Sequence, residues 1–217
     1  GRANAKKVPV GSRVLGLLAM DGVIERGTQV GSWRSNQIRW QAATPIPTID
    51  TTAARSQLIT EYLRRFAPAT RADIQWWTGL GKRAVDDALT RIDTAPVALS
   101  DEGEALMLTS QIEAEAPDAA GAAFLPALDP TVMGWKERAW YLPPHMSGDL
   151  VDRTGNLGPT LWWRGQVVGG WGQDRHGTIR WDLLSPVPAS AHTEIDTAAE
   201  RMQRFLGQHQ VRPRFRT

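Results

Sequence analysis

Cysteine is missing from the chain, which excludes disulfides and thiolate-held metal sites. Long apolar runs are missing as well. None approaches the roughly 18 residues a membrane span requires, and no secretory leader opens the sequence. These absences predict a soluble cytoplasmic protein with no membrane contact. Net charge is small, only +2 over 217 residues, so any pull on a polyanion must come from local patches. Histidine is limited to His145, His176, His192 and His209, and none has a partner at metal-ligand spacing. A phosphate-cradling glycine loop, a nucleophile elbow and a dinucleotide fingerprint are absent too. The sequence therefore predicts no cofactor and no metal, and spacing alone names no catalytic residue.

Tryptophan, by contrast, is abundant: ten residues. Most are expected to fill cores and stiffen hairpins; the rest would suit base stacking or a wedge between base steps. Charge is also unevenly placed. Residues 1–50 hold seven Lys/Arg against three Asp/Glu, whereas residues 51–117 hold seven against ten. The tail from Arg212 to Arg216 alternates three arginines with Pro213 and Phe215.

The pattern along the chain predicts an α+β fold in three segments. In the first, residues 1–47, Val10 to Met20 reads as a helix that buries Val14, Leu15, Leu17 and Leu18. Strands follow at Val23–Arg26 and Gln37–Trp40, around a long glycine-containing basic loop. Helix, strand, wing and strand make the C-terminal half of a winged helix. Residues 48–112 form a complete one. A helix over Ala53–Phe66 carries Leu58, Ile59, Tyr62, Leu63 and Phe66 on one face. Thr70-Arg-Ala-Asp73 resembles a capping box and starts a second helix. A third runs from Lys82 to Ile92, and strands at Pro96–Leu99 and Ala105–Thr109 flank an acidic tip, Asp101 to Glu104. The acidic Asp86 and Asp87 argue against direct base reading by the third helix; a scaffold role fits better.

Residues 113–123 read as a linker. Residues 124–217 read as a β-rich, Trp-containing domain: a small barrel-like or curled sheet with one packed helix. Its strands are expected around Leu125–Leu128, Leu150–Arg153, Thr160–Trp163, Gln166–Trp171 and Thr178–Leu184, with Arg164-Gly165 as a hairpin turn. Its helix spans Thr193–Leu206 and buries Ile195, Ala198, Ala199, Met202, Phe205 and Leu206. The end of the chain, from Gln210, reads as extended. Asp129 before Pro130 reads as a turn residue.

Several stretches carry a specific resemblance: Phe124-Leu-Pro-Ala-Leu-Asp-Pro-Thr-Val-Met-Gly-Trp-Lys136, Asp152-Arg-Thr-Gly-Asn-Leu-Gly-Pro-Thr-Leu-Trp-Trp163, Val168-Gly-Gly-Trp171, Ala72-Asp-Ile-Gln-Trp-Trp-Thr-Gly79, Gly31-Ser-Trp33 and Arg212-Pro-Arg-Phe215. Together they resemble the C-terminal portion of a bacterial winged-helix DNA-binding family. That family includes DNA glycosylases acting on alkylated and crosslinked bases. The resemblance implies a DNA-binding, DNA-repair protein whose partner is double-stranded DNA. In the glycosylase members, catalysis is assigned to a Gln-aliphatic-Gln or Gln-aliphatic-Asp motif in the first winged helix. That motif is not in this chain; Gln208-His-Gln210 mimics its spacing in the tail without an aliphatic centre, and Gln75 lies in a different unit. The resemblance thus implies DNA-binding architecture with the catalytic N-terminal unit absent.

The candidate phosphate contacts are Lys6, Lys7, Arg13, Arg34 and Arg39 in the first segment. Arg164 at the later hairpin tip joins them, with Trp163 as a wedge. Two other classes stay open: a non-catalytic protein-interaction or resistance-associated winged-helix module with a protein partner, and a small-molecule pocket in the tryptophan-rich segment.

Overall fold

A computed structural model of the chain describes residues 10–32, 35–45, 47–99, 103–113 and 121–211. The chain divides after residue 49 into two compact units. The first holds helix α1 (Val10–Met20) and strands β1 (Ile24–Gln29) and β2 (Ile38–Ala42). The strands pair antiparallel, with Ile24 opposite Ala42 and Arg26 opposite Trp40. Both run longer than the sequence predicts. The expected burial of α1 is corrected: Val14 and Leu17 are exposed, and no residue of the helix is buried. One helix and a two-stranded ribbon have too few faces to close a core around it.

The second unit begins with α2 (Thr51–Phe66), α3 (Arg71–Thr78) and α4 (Lys82–Leu89), followed by the hairpin β3 (Thr94–Ala98) and β4 (Glu104–Leu108). Asp50 caps α2, its carboxylate accepting from the backbone of Thr52 and Ala53. Thr70 and Asp73 form the capping box at α3 that their spacing predicts. Ile59, Tyr62, Leu63 and Phe66 bury the face of α2. Leu58, placed on that face by periodicity, is exposed instead. Helix α4 ends at Leu89, three residues short of the expected Ile92. Asp101 and Glu102 of the acidic tip lie outside the described residues.

Strands β5 (Ala122–Leu125), β6 (Thr160–Trp163), β7 (Gln166–Gln173) and β8 (Ile179–Leu183) form one antiparallel sheet in that order. The sheet is open, since β5 and β8 do not pair. Strand β5 starts within the stretch read as linker and ends before Leu128. Residues 150–153 are not a strand: a short helix α5 (Ser147–Leu150) leads into a single bridge between Val151 and Leu157. There the Asp152 carboxylate accepts from the backbone of Thr154 and Asn156 and from their side chains, so the loop closes on itself rather than extending. Helix α6 (Ala189–Leu206) starts four residues earlier than expected and buries Ala191, Ile195, Ala198 and Leu206. Phe205, expected inside, is exposed.

Both faces of this sheet are covered. Along β5 to β7, Ala122, Phe124, Leu161 and Val168 face a core shared with α6. Their neighbours Ala123, Leu125, Trp162 and Val167 face a core shared with α2, α3 and α4. Alternating side chains thus serve two cores, and six consecutive residues of β7 are buried. Described residues on either side of 113–123 consequently share one hydrophobic core. Among the described residues, no helix is long and apolar enough to cross a membrane.

Gly169, in the middle of β7, is a point of close backbone approach. A Cβ there would lie 1.9 Å from the carbonyl oxygen of Asp182 on β8. Gly169→Ala is expected to lower stability by about 1–3 kcal/mol through overpacking. Gly148→Ala, where an added Cβ meets nothing within 4 Å, is the control and should leave it unchanged. Thermal melts of the two variants would check this; equal melting temperatures would contradict it.

Candidate functional site

The chemically densest part of the second unit is built around Asp73, which is 2% exposed. One carboxylate oxygen accepts from the backbone N–H and hydroxyl of Thr70 at 2.9 and 2.7 Å. The other accepts from the backbone N–H groups of Lys136 and Glu137 at 2.8 and 3.2 Å. Four donors on a buried carboxylate replace the water it has lost. The 72–79 and 124–136 stretches, distant in sequence, are thereby fastened to each other.

The 126–141 segment wraps onto the helices through further buried polar bonds. Tyr62 donates its phenol O–H to the carbonyl of Gly134 at 2.8 Å, and Tyr141 donates to that of Val132 at 2.9 Å. The Trp135 indole N–H donates to the carbonyls of Phe66 and Pro68. Gly134 is required by contact, because a Cβ would lie 2.5 Å from the Phe66 ring. Asp129 accepts from the Thr131 N–H, the turn role its position before Pro130 predicts. Val167 N–H donates to the Tyr141 carbonyl, and Tyr141 stacks on Trp162 with ring centroids 5.3 Å apart. Helices, wrapped segment and sheet are thus joined through Tyr141.

An aromatic surface grows out of this core. Trp77 contacts Tyr62 and Phe66; Phe66 meets Trp135 edge-on; Trp135 meets Trp140 edge-on at 4.9 Å. The ring series is buried in the middle and open at its ends, with Trp77 40% and Trp140 55% exposed. Trp76 is also 40% exposed, and the Arg138 guanidinium lies 5.4 Å from its ring centroid. Two of Arg138's nitrogens donate to the carbonyls of Trp135 and Gly155, so it braces the segment from outside.

The predicted site residues fall into both units. Arg13 on α1 and Arg39 on β2 are exposed in the first. Lys6, Lys7 and Arg34 lie outside the described residues. Arg26, which the sequence does not single out, is exposed on β1 across from Trp40, with its guanidinium 5.9 Å from that ring's centroid. Trp163 and Arg164 sit at the β6–β7 tip in the second unit. Arg164 has φ +47° and Gly165 φ +79°, the left-handed pair that a two-residue hairpin turn demands. For an arginine this conformation costs roughly 1 kcal/mol. The Trp163 indole N–H donates to Glu194 on α6 at 2.9 Å. Arg164 lies 5.0 Å from the Trp163 ring and 3.9 Å from the Glu194 carboxylate. Trp163 is therefore half-buried and held, with Arg164 exposed above it.

Gln208, His209 and Gln210 are exposed, and the Gln210 amide donates to the Arg175 carbonyl. On α4, Asp86 pairs with Arg71 at 2.8 Å, so part of the acidity read from that helix is neutralised. The polar recess between α2 and α4 is lined by Thr52, Arg55, Asp87, Thr90 and Arg91, with no tryptophan. Among the described residues no group of His, Asp and Glu is placed to hold a metal.

Helices first and an antiparallel sheet after, with one buried carboxylate fastening α3 to the backbone of Lys136 and Glu137, define an α+β protein of mixed helical and small-sheet architecture. The chain belongs to the AlkZ-like family: the family model described as DNA glycosylase AlkZ-like matches residues 2–205. Among solved structures it is similar to the Streptomyces sahachiroi DNA glycosylase AlkZ, with a TM-score of 0.68 and 21% identity. The match covers 92% of this chain and 56% of that one, so the chain spans little more than half of that protein's length. No curated protein matches the chain significantly.

The two tyrosines give a test of the core around Asp73. Burial pushes the Tyr62 phenol far above its ordinary value, with the Asp73 charge and Tyr141 adding to it. Burial likewise pushes Tyr141 up to about 12, against the pull of Arg138. A raised folded pKa favours the neutral phenol, so this stabilisation is fully present below the unfolded value of about 10 and is lost as pH climbs through the folded one. Because the chain contains only these two tyrosines, tyrosinate absorbance should show no step near pH 10 while the protein stays folded. A full step there would place at least one phenol in water.

Proposed function

We propose that the chain is the DNA-binding part of a glycosylase-like repair protein acting on alkylated or crosslinked bases. The carrying observation is the match of residues 2–205 to the AlkZ-like DNA glycosylase family. The order of elements supports the same reading: α2, α3, α4 and the β3–β4 hairpin follow the sequence of a winged helix. Helix α1 with β1 and β2 follows the latter half of another. In this reading double-stranded DNA is the partner, and its phosphates meet Arg13, Arg39 and Arg26 on the first unit, with Lys6, Lys7 and Arg34 on sequence grounds. Arg164 adds a contact from the hairpin tip. We assign Trp163 the support of Arg164 rather than a wedge between base steps, since its ring backs the guanidinium and its N–H is taken by Glu194. Helix α4, with Asp86 and Asp87, serves as scaffold.

Binding of this kind releases counterions, so affinity falls linearly with salt on logarithmic axes. Removing one true phosphate contact makes the slope shallower by about 0.9. Arg13→Ala and Arg39→Ala are each expected to do so in fluorescence anisotropy with duplex DNA. Salt-independent binding, or none, would overturn the reading.

Base release needs a pocket for an extruded base and a polar group set against the charge that develops on the sugar. The one Gln-x-Gln of the chain lies exposed in its tail. The chain alone is therefore expected not to release 7-methylguanine from duplex DNA, as assayed by alkaline cleavage of abasic sites. Strand breaks above a no-protein control that vanish on changing Gln208 and Gln210 to Ala would make the tail catalytic.

A further inference from the structure

Three half-open indoles, Trp76, Trp77 and Trp140, stand out on the second unit. Tryptophan left 40–55% exposed sacrifices burial that a large ring ordinarily gains. None of the three is loosely held. Trp77 leans on Tyr62 at 5.0 Å and Phe66 at 5.9 Å; Trp140 meets Trp135 and Tyr141 edge-on at 4.9 and 4.8 Å. Trp76 carries Arg138 against its ring. The rings are therefore set in place before anything binds, and little rotamer freedom remains to be lost.

Cations accompany them. Lys136 is exposed, and its backbone N–H is fixed 2.8 Å from Asp73, one helical turn before Trp77. Arg138 follows two residues later, and Glu137 between them is the single acidic member of this run. Indole faces with Arg138 against one of them, and an exposed lysine two residues before that arginine in the chain, match one ligand chemistry well: unpaired nucleobases linked by phosphates. Each base offers a π-face, and each phosphate an anion. An aliphatic protein surface would satisfy the rings but not the cations.

We propose that Trp76, Trp77 and Trp140, with Lys136, form a stacking platform for unpaired bases of a nucleic-acid strand, separate from the duplex-phosphate contacts on the first unit. The proposal deepens the DNA-binding reading and rests on it. A platform of this kind would hold bases that a lesion or crosslink has left unstacked.

The test uses the whole chain and a short oligothymidylate. The strand should bind saturably, quench part of the tryptophan emission and shield it from acrylamide. Trp76→Leu and Trp140→Leu should each weaken oligothymidylate binding about fivefold or more, with duplex affinity unchanged and the fold retained by circular dichroism. Binding that neither substitution alters, or oligothymidylate that gives the unmodified chain no acrylamide protection, overturns the platform. Loss of duplex binding from Arg13→Ala and Arg39→Ala alongside that result would leave the wider DNA reading standing. No binding of either nucleic acid, with the indoles protected only by a protein partner, would overturn both.

Discussion

The second unit depends on one carboxylate. Asp73 completes a helix cap with Thr70, as many aspartates do, but its other oxygen reaches across to Lys136 and Glu137. A charge buried to this degree is tolerable only when all its acceptor capacity is used. The placement of α3 and that of the Lys136–Glu137 backbone are therefore tied to each other. The tyrosines on either side follow the same logic: each ends a long apolar side chain in a hydroxyl that a backbone carbonyl of the turn accepts. Positions of the exposed indoles, of Arg138 and of the sheet below are inherited from this fastening.

How much of this was legible beforehand depended on range in sequence. The capping box at Thr70, the bounds of α1 and of β6, and the Arg164-Gly165 turn are local, and local chemistry determines them. The partnership of Asp73 with residues 63 and 64 positions further on leaves no mark on composition or periodicity. The same holds for the second face of the sheet. Six buried residues in succession along β7 reflect cores on both sides, and only the packed structure reveals what those cores are.

The departures have physical causes as well. Leu58 and Phe205 fall on apolar stripes by spacing, yet both are exposed. The stretch 150–153 carries strand-forming Leu150 and Val151, but Asp152 draws Thr154 and Asn156 around itself and turns the chain before a ladder can form. Among the candidate residues, Arg13, Arg39 and Arg164 are all exposed, as a phosphate contact requires. The setting of Arg26 beside Trp40 needs the strand register, and the tie between Trp163 and Glu194 needs α6 packed on the sheet, so neither can be read from sequence.

Among the described residues, the open order of the four-stranded sheet leaves two outer edges, and each is ill suited to recruiting another strand. Strand β5 is only four residues long, too short to template a stable ribbon. Strand β8 alternates Ile179, Trp181 and Leu183 with exposed Arg180 and Asp182, and Arg180 is paired with Asp174. A strand laid along that edge would have to desolvate charges of both signs. A chain so rich in tryptophan and so nearly neutral would otherwise be prone to edge-to-edge association, and the sheet guards against it by keeping one border brief and the other charged.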